Sequence, residues 1–332
     1  MENAERSFSG SGPAADSRSQ ARLVRLFHSL APRLLREVYR REQIPAMARF
    51  FLAAAGMRDW FATLRFQLRS HLGEACEPIL ATLSRRMFER RYDELARHLP
   101  QLPARSPHPE SAPPRELALV MAALYLLHRP TAGRHKSDWI FSAVGGPPRS
   151  LAEWLHAERL LWPLSPEARW REVTTHLGEL LIVLTESLPA HLPHARKILG
   201  DICFASGARY GEYARRYFGV PAKPADPAAA AIEILRMSEY VFRVNPEHWG
   251  HTDADQRSGY LEGTACPWYS RPGWQPGHCG IFGQFQAGIC SVFGLRYHLS
   301  STIPKHGGST CRVDLKPIPI RLHKADPGSA DR

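Results

Sequence analysis

The chain has 332 residues, 44% hydrophobic and 23% charged, which is the balance of an ordinary globular protein long enough to bury a full core. No run approaches the roughly 20 apolar residues of a membrane span, and no signal-peptide core is visible, so we expect a cytoplasmic protein with no membrane partner and with its six cysteines reduced. The net charge of +11, carried mostly by arginine, favours an anionic partner.

The first two thirds of the chain predict helices. Residues 1–20 are polar and rich in Ser, Gly and Ala, which predicts a disordered tail. Residues 21–105 hold 16 Arg against 8 Asp and Glu with apolar residues at helical spacing, which predicts a basic helical region. The alternative is that these arginines only solvate helix faces. After a Pro-rich segment at Pro100–Pro114, residues 106–227 predict a second helical region, with helices over Glu116–Leu127, Ser150–Leu161, Ser165–Leu188 and Pro193–Phe218.

The pattern changes in residues 228–320, after a second Pro-rich joint. Ala228–Met237 and residues 280–293 predict helices, and period-two alternation predicts strands over Glu239–Val244, Leu295–Ile303 and Cys311–Leu315. The paired Gly307 and Gly308 predict a tight hairpin turn between the last two strands. The expected fold class is therefore α+β: a mostly helical N-terminal region, then a small antiparallel sheet with a packed helix. Residues 321–332 are predicted to be a disordered tail.

Four cysteines lie in this C-terminal segment, at Cys266, Cys279, Cys290 and Cys311. They are separated by 12, 10 and 20 residues without a close pair, whereas structural zinc sites usually bring ligands in close pairs. We therefore predict no metal site and no cofactor, although ligands from one loop around Cys266 and Cys279 could converge. Cys290 is expected to be a core thiol.

Cys279 is the candidate catalytic nucleophile. It lies at the predicted start of the 280–293 helix, where unpaired N–H groups and the helix dipole favour a thiolate and could hold an oxyanion. The adjacent His278 is a candidate general base, and His306, just before the glycine turn, is a second one. The alternatives are a packed thiol and an exposed turn histidine.

The polar, aromatic segment Asn245–Trp274 is predicted to be an irregular loop that contacts a ligand. Its mixture of charges suits an amino-acid-like compound, since arginine binds a carboxylate or sulfate and carboxylates bind an ammonium. The alternative is a surface loop whose tryptophans pack on the core. The candidate substrate-binding residues here are His248, His251, Asp253, Arg257 and Trp268.

A second candidate binding surface lies on the Pro193–Phe218 helix. Arg209, Glu212 and Arg216 share one face, with Tyr213 and Tyr217 beside them. Arg209, Tyr213 and Arg216 are candidate contacts to an anionic substrate. The alternative is a solvated face of ion pairs.

Short C-terminal motifs support a resemblance. The motifs are Cys266-Pro267, Cys279, Gly288-Ile289-Cys290 with Phe293-Gly294, and the run from Gly307 to Val313. Residues 228–318 thereby resemble the closing module of the 2-amino-thiazoline-4-carboxylate hydrolase-like family and, more distantly, 4-vinyl-reductase-type ligand-binding domains. The resemblance implies a helix packed on a sheet and an enzyme that opens a C–N or C–S ring of a small amino acid, with relatives in natural-product pathways.

Three functions follow as hypotheses. The first is a biosynthetic enzyme that acts at a carbon–heteroatom bond of an amino-acid-derived substrate, by hydrolytic ring opening or by ring closure. One form of ring closure is an aziridine-forming cyclase that eliminates sulfate from a substrate bound to an acidic carrier protein, which the basic surface would suit. The last hypothesis is not an enzyme but a non-catalytic small-molecule sensor with a structural metal. No zinc-finger, RNP or helix-turn-helix signature is present, so nucleic acid is not the expected partner.

Overall fold

The computed structural model describes residues 36–38, 41, 43–103, 115–125, 139–141, 148–242, 248–264 and 266–319. The predictions for both tails, for the helix before residue 36 and for most of the Pro100–Pro114 segment lie outside these residues. The described part has the predicted α+β architecture, helical first and with a small antiparallel sheet at the end. None of its helices has the length and apolar character needed to cross a membrane.

The helical region contains the helices that the apolar spacing of the sequence predicts. Ser150 and Ser165 cap two of the helices, and each hydroxyl accepts a hydrogen bond at 3.2 Å from the N–H three residues on. The helices are α1 (Ala46–Leu72), α2 (Cys76–His98), α3 (Arg115–Leu124), α4 (Leu151–Leu160), α5 (Pro166–Ser187), α6 (Ala195–Tyr217) and α7 (Pro227–Phe242).

Helix α5 lies at the centre of the larger core. Nearly every residue from Trp170 to Thr185 is buried, because α1, α2 and the chain around Trp268 pack against different sides of it. The apolar face of α1, from Phe50 to Leu68, covers one side. A helix buried on most of its surface must also pair its polar residues internally, and α5 carries several charged ones.

The C-terminal segment adds a four-stranded antiparallel sheet and one long helix. The elements are β1 (His248–Thr252), β2 (Gly259–Gly263), α8 (Pro276–Ser291), β3 (Leu295–Ser301), α9 (Ile303–His306) and β4 (Cys311–Pro317). The strand order is β1-β2-β4-β3, so the last strand lies inside the sheet. Leu261, Val313 and Leu315 are buried on the face covered by α7 and α8, whereas the opposite face carries polar side chains.

Several element predictions were wrong. Glu239–Phe242 continues α7 instead of starting a strand, because Glu239 and Val241 are buried on that helix. Residues predicted as irregular loop form the β1–β2 hairpin instead. Helix α8 begins at Pro276 and not at residue 280, and the β3–β4 connection holds the short helix α9 with Gly307 at φ 65° rather than a tight turn.

Helices α6 and α8 cross so closely that their backbones are in contact. A Cβ atom on Gly207 would lie 1.8 Å from the carbonyl oxygen of Phe285, and one on Gly288 would lie 2.1 Å from the carbonyl oxygen of Phe204. Only glycine fits at such a crossing. The contact joins α8, and with it the sheet, to the helical region.

Candidate functional site

The candidate nucleophile Cys279 is the fourth residue of α8 and is half-buried. The indole N–H of Trp274 points at its sulfur, with 3.4 Å between Nε1 and Sγ. The thiol is therefore one turn into the helix, where the influence of the helix terminus is weaker than at the first residues.

His278 caps the helix that carries Cys279. Its Nδ1 accepts the backbone N–H of Gln275 at 2.8 Å, and its Nε2 lies 2.6 Å from the hydroxyl of Thr185 on α5. Burial lowers the pKa of His278, which favours the neutral imidazole. With both ring nitrogens engaged, His278 fixes the start of α8 against α5.

His306 closes helix α9 in the connection between β3 and β4. Its side chain is exposed, and its Nδ1 accepts the backbone N–H of Thr302 at 3.0 Å. These hydrogen bonds join Cys279 to Trp274, His278 to Gln275 and Thr185, and His306 to Thr302. The catalytic roles of the three candidates stay predictions.

Trp268 belongs to the large core. It is 1% exposed, and its indole N–H donates to the carbonyl of Thr174 at 2.8 Å. Gly178 on α5 lies directly against the indole ring. For Trp268, this arrangement matches the alternative of a tryptophan that packs on the core, whereas Trp249 is 42% exposed.

The other residues of this segment lie on the β1–β2 hairpin. His248 is the first residue of β1, in register with Gly263, and Arg257 is exposed in the turn. The carboxylate of Asp255 orders the turn by accepting hydrogen bonds from the backbone of Arg257 and Ser258. The Ser258 hydroxyl also donates to Asp255, and this bond, followed by the two backbone bonds, lowers the pKa of Asp255.

His251 and Asp253 both line a cleft of about 610 Å³ on the polar face of the sheet. The pairing register aligns His251 with Tyr260 and Tyr260 with Asp314, so one row of side chains crosses three strands. The lining residues are His251, Asp253, Ser258, Gly259, Tyr260, Arg312, Asp314, Leu315, Lys316 and Pro317.

Charged groups of both signs alternate in this cleft. The Arg312 guanidinium lies 3.9 Å from the centre of the Tyr260 ring and donates from Nε to Asp314 at 3.0 Å, a bond that raises the pKa of Arg312. His251 Nε2 lies 3.8 Å from Asp253 Oδ1. The cleft thus offers cations for an anionic group, carboxylates for an ammonium and an imidazole for proton transfer.

Tyr260, Arg312, Asp314 and Lys316 were missed from the sequence. A signal for three of them was present, because Arg312, Asp314 and Lys316 alternate with Val313 and Leu315 and must share one face of a strand. Which residues of other strands face them depends on the register, which the sequence does not show.

A network of ion pairs, also missed, crosses the interior between α2, α5 and the chain before α8. Arg91 is fully buried and pairs with Glu94 and Glu172, while Arg271 pairs with Glu94 at 2.6 Å and also with Glu179. Beside Arg91, the buried Tyr125 hydroxyl is bonded to His176 Nδ1; burial raises the tyrosine pKa well above its usual value and lowers that of the imidazole. We refer to Arg90, Arg91, Glu94, Glu172, Glu179 and Arg271 as the interior charge network.

The candidate residues on α6 are exposed, and the residues that line the sheet cleft do not include them. These candidates are Arg209, Tyr213 and Arg216. Arg209 Nη2 reaches the hydroxyl of Thr63 on α1 at 3.2 Å, and Arg216 pairs with Glu212 at 2.7 Å. Tyr213 and Tyr217 stack with 5.9 Å between ring centres.

Within the described ranges, no three His, Cys, Asp or Glu residues are grouped closely enough to hold a metal ion. No protein-family model, no curated protein and no solved structure matches the chain.

Proposed function

We propose that the chain is an enzyme that binds a small, amino-acid-derived substrate in the sheet cleft and acts at one of its carbon–heteroatom bonds. The observation that carries the proposal is the meeting of His251 and Asp253, two candidate residues from one hairpin, with Arg312 and Asp314 of the central strand. A zwitterionic ligand needs charges of both signs within a few ångströms, and this cleft has them.

The arrangement of side chains favours ring closure over thiolate attack. His251, beside Asp253, can take a proton from the substrate ammonium and so free the lone pair of its nitrogen. The nitrogen lone pair then forms the new C–N bond as the C–O bond to a sulfate ester breaks, and sulfate leaves with that electron pair. Arg312 and Lys316 lie in the cleft where they can stabilise the departing anion, and no cysteine is among the lining residues.

Binding and turnover of L-serine O-sulfate, with L-serine as the unsulfated comparison, test the proposal. We expect sulfate release together with a cyclised amine, both followed by NMR. Arg312→Gln should weaken binding about 10-fold, because it removes a charge-assisted contact. His251→Gln should keep binding and lower turnover by about 100-fold or more, because a general base contributes at least that much.

Arg171→Gln is the matched control, since Arg171 is an exposed arginine on α5. Equal binding by the Arg312→Gln and Arg171→Gln proteins would contradict the placement of the substrate. If L-serine O-sulfate and L-serine both bind but neither is converted to a product, the proposed catalytic role of the cleft would be contradicted.

A further inference from the structure

One exposed surface is not used by the proposed reaction. It consists of Phe66 on α1 and Arg209, Tyr213, Arg216 and Tyr217 on α6, and we name it the aromatic–arginine face. Phe66 and Tyr213 are 68% and 67% exposed, which is high for large aromatic side chains. The hydrogen bond from Arg209 to Thr63 joins the two helices here, and Phe66 lies one turn along α1 from Thr63.

The face is preorganised. The Tyr213 and Tyr217 rings are nearly parallel, at 14°, and therefore hold each other in place. Glu212 accepts from both Arg215 and Arg216, and these bonds, with the Arg215 bond first, lower its pKa to about 2. The helix itself is held against α8 through glycine contacts, so a partner would lose little entropy in ordering this surface.

The charge of α6 indicates what kind of partner fits. At the aromatic–arginine face the helix presents two exposed arginines, Arg209 and Arg216, against one acidic residue, Glu212, so the face itself is basic. Exposed tyrosine and arginine are the residues most enriched at protein interfaces. We propose that the aromatic–arginine face is a docking surface for an acidic helical segment of another protein, with the aromatic rings as anchors and the guanidinium groups selecting carboxylates.

A protein partner fits better than nucleic acid. Nucleic-acid binders neutralise several phosphates in a row, and this face presents two guanidinium groups, one of which is already shared with Glu212.

The probe is a fluorescein-labelled helical peptide of about 20 residues, long enough to be partly helical alone, with Glu and Asp on one face and Leu and Phe on the other. Fluorescence anisotropy with the full chain should show binding that weakens several-fold when salt rises from about 0.05 M to about 0.3 M. Arg209→Glu/Arg216→Glu should lower affinity about 10-fold or more, and Tyr213→Ala should lower it by a similar factor.

Arg159→Glu/Arg171→Glu is the matched control, because it makes the same charge change at exposed arginines on α4 and α5. Circular dichroism should show that every variant is folded, as expected for exposed positions. Equal loss in the control variant, or equal binding of a peptide with Lys in place of Glu and Asp, would overturn the proposal. Tighter binding of a dT12 oligonucleotide, lost in the Arg209→Glu/Arg216→Glu protein, would overturn it in favour of nucleic acid.

Discussion

At the scale of single residues, exposure divides the six cysteines into two groups. Cys76, Cys203 and Cys290 are buried, and burial raises the pKa of Cys203 to about 12 and that of Cys290 further. The remaining cysteines are half-buried, namely Cys266, Cys279 and Cys311. Because the thiolate is the reactive form, a buried thiol with a raised pKa is inert at neutral pH.

We therefore expect iodoacetamide at about pH 8 to label the three half-buried cysteines of the native protein and to spare the three buried ones. The buried thiols are spared because they stay protonated, since this pH is far below the pKa of Cys203. Peptide mass spectrometry of the labelled protein reads the sites. Rapid labelling of Cys203 or Cys290 without unfolding would contradict the packing, and a rate at Cys279 no faster than at Cys266 would argue against a nucleophilic Cys279.

At the scale of elements, the crossing of α6 and α8 is the most sensitive contact to test. Gly207→Ala would place a methyl group 1.8 Å from a carbonyl oxygen, so the helices must separate. We expect the free energy of unfolding in urea to fall by about 3 kcal/mol or more, at the upper end of overpacking effects.

Gly280→Ala is the control within α8, because among the described residues nothing apart from the adjacent helix backbone lies within 4 Å of the added methyl group. Alanine is the better helix former there, so stability should stay equal or rise by up to about 1 kcal/mol. Similar losses for the two variants would show that helix propensity, and not the close approach, determines the effect.

How far the sequence predicts these elements depends on the distance between the residues that fix them. The helices follow from apolar residues three and four positions apart, as in α1 and α5, and β4 follows from the alternation of Arg312, Val313 and Asp314. Strands β1 and β2 are short and contain Gly250, Gly259 and Gly263, so they lack a strand signal of their own. Gly250 is needed because Ile232 of α7 packs against its Cα, a contact that the sequence does not show.

At the scale of the whole molecule, the interior charge network joins segments that are far apart in the sequence. Arg91 lies 81 residues from Glu172, and Arg271 lies 177 residues from Glu94. Local patterns predict these arginines and glutamates on exposed helix faces, because nothing within a helical turn shows that partners will cover them. For the same reason, the sheet cleft could be predicted only as single residues such as His251 and Asp253.

Arg91→Met should lower the free energy of unfolding by about 3–5 kcal/mol, because it leaves buried Glu172 without its buried cation. Lys197→Met removes one partner of an exposed pair with Asp201 and should cost at most about 0.5 kcal/mol. Urea denaturation followed by tryptophan fluorescence compares the two variants. A loss below about 1 kcal/mol for Arg91→Met would show that the network is weaker than its burial indicates.

The place of β4 inside the sheet has a consequence for synthesis of the chain. Strands β2 and β3 do not pair with each other, and both bond to β4. Until residues 311–317 leave the ribosome, β1 and β2 are a lone hairpin, which is marginally stable, and β3 has no neighbouring strand. Translation that stops before Cys311 would release a chain with open strand edges, which favour association with other chains. Arg312, Asp314 and Lys316 also arrive with this strand, so the sheet and its cleft are completed by the same seven residues.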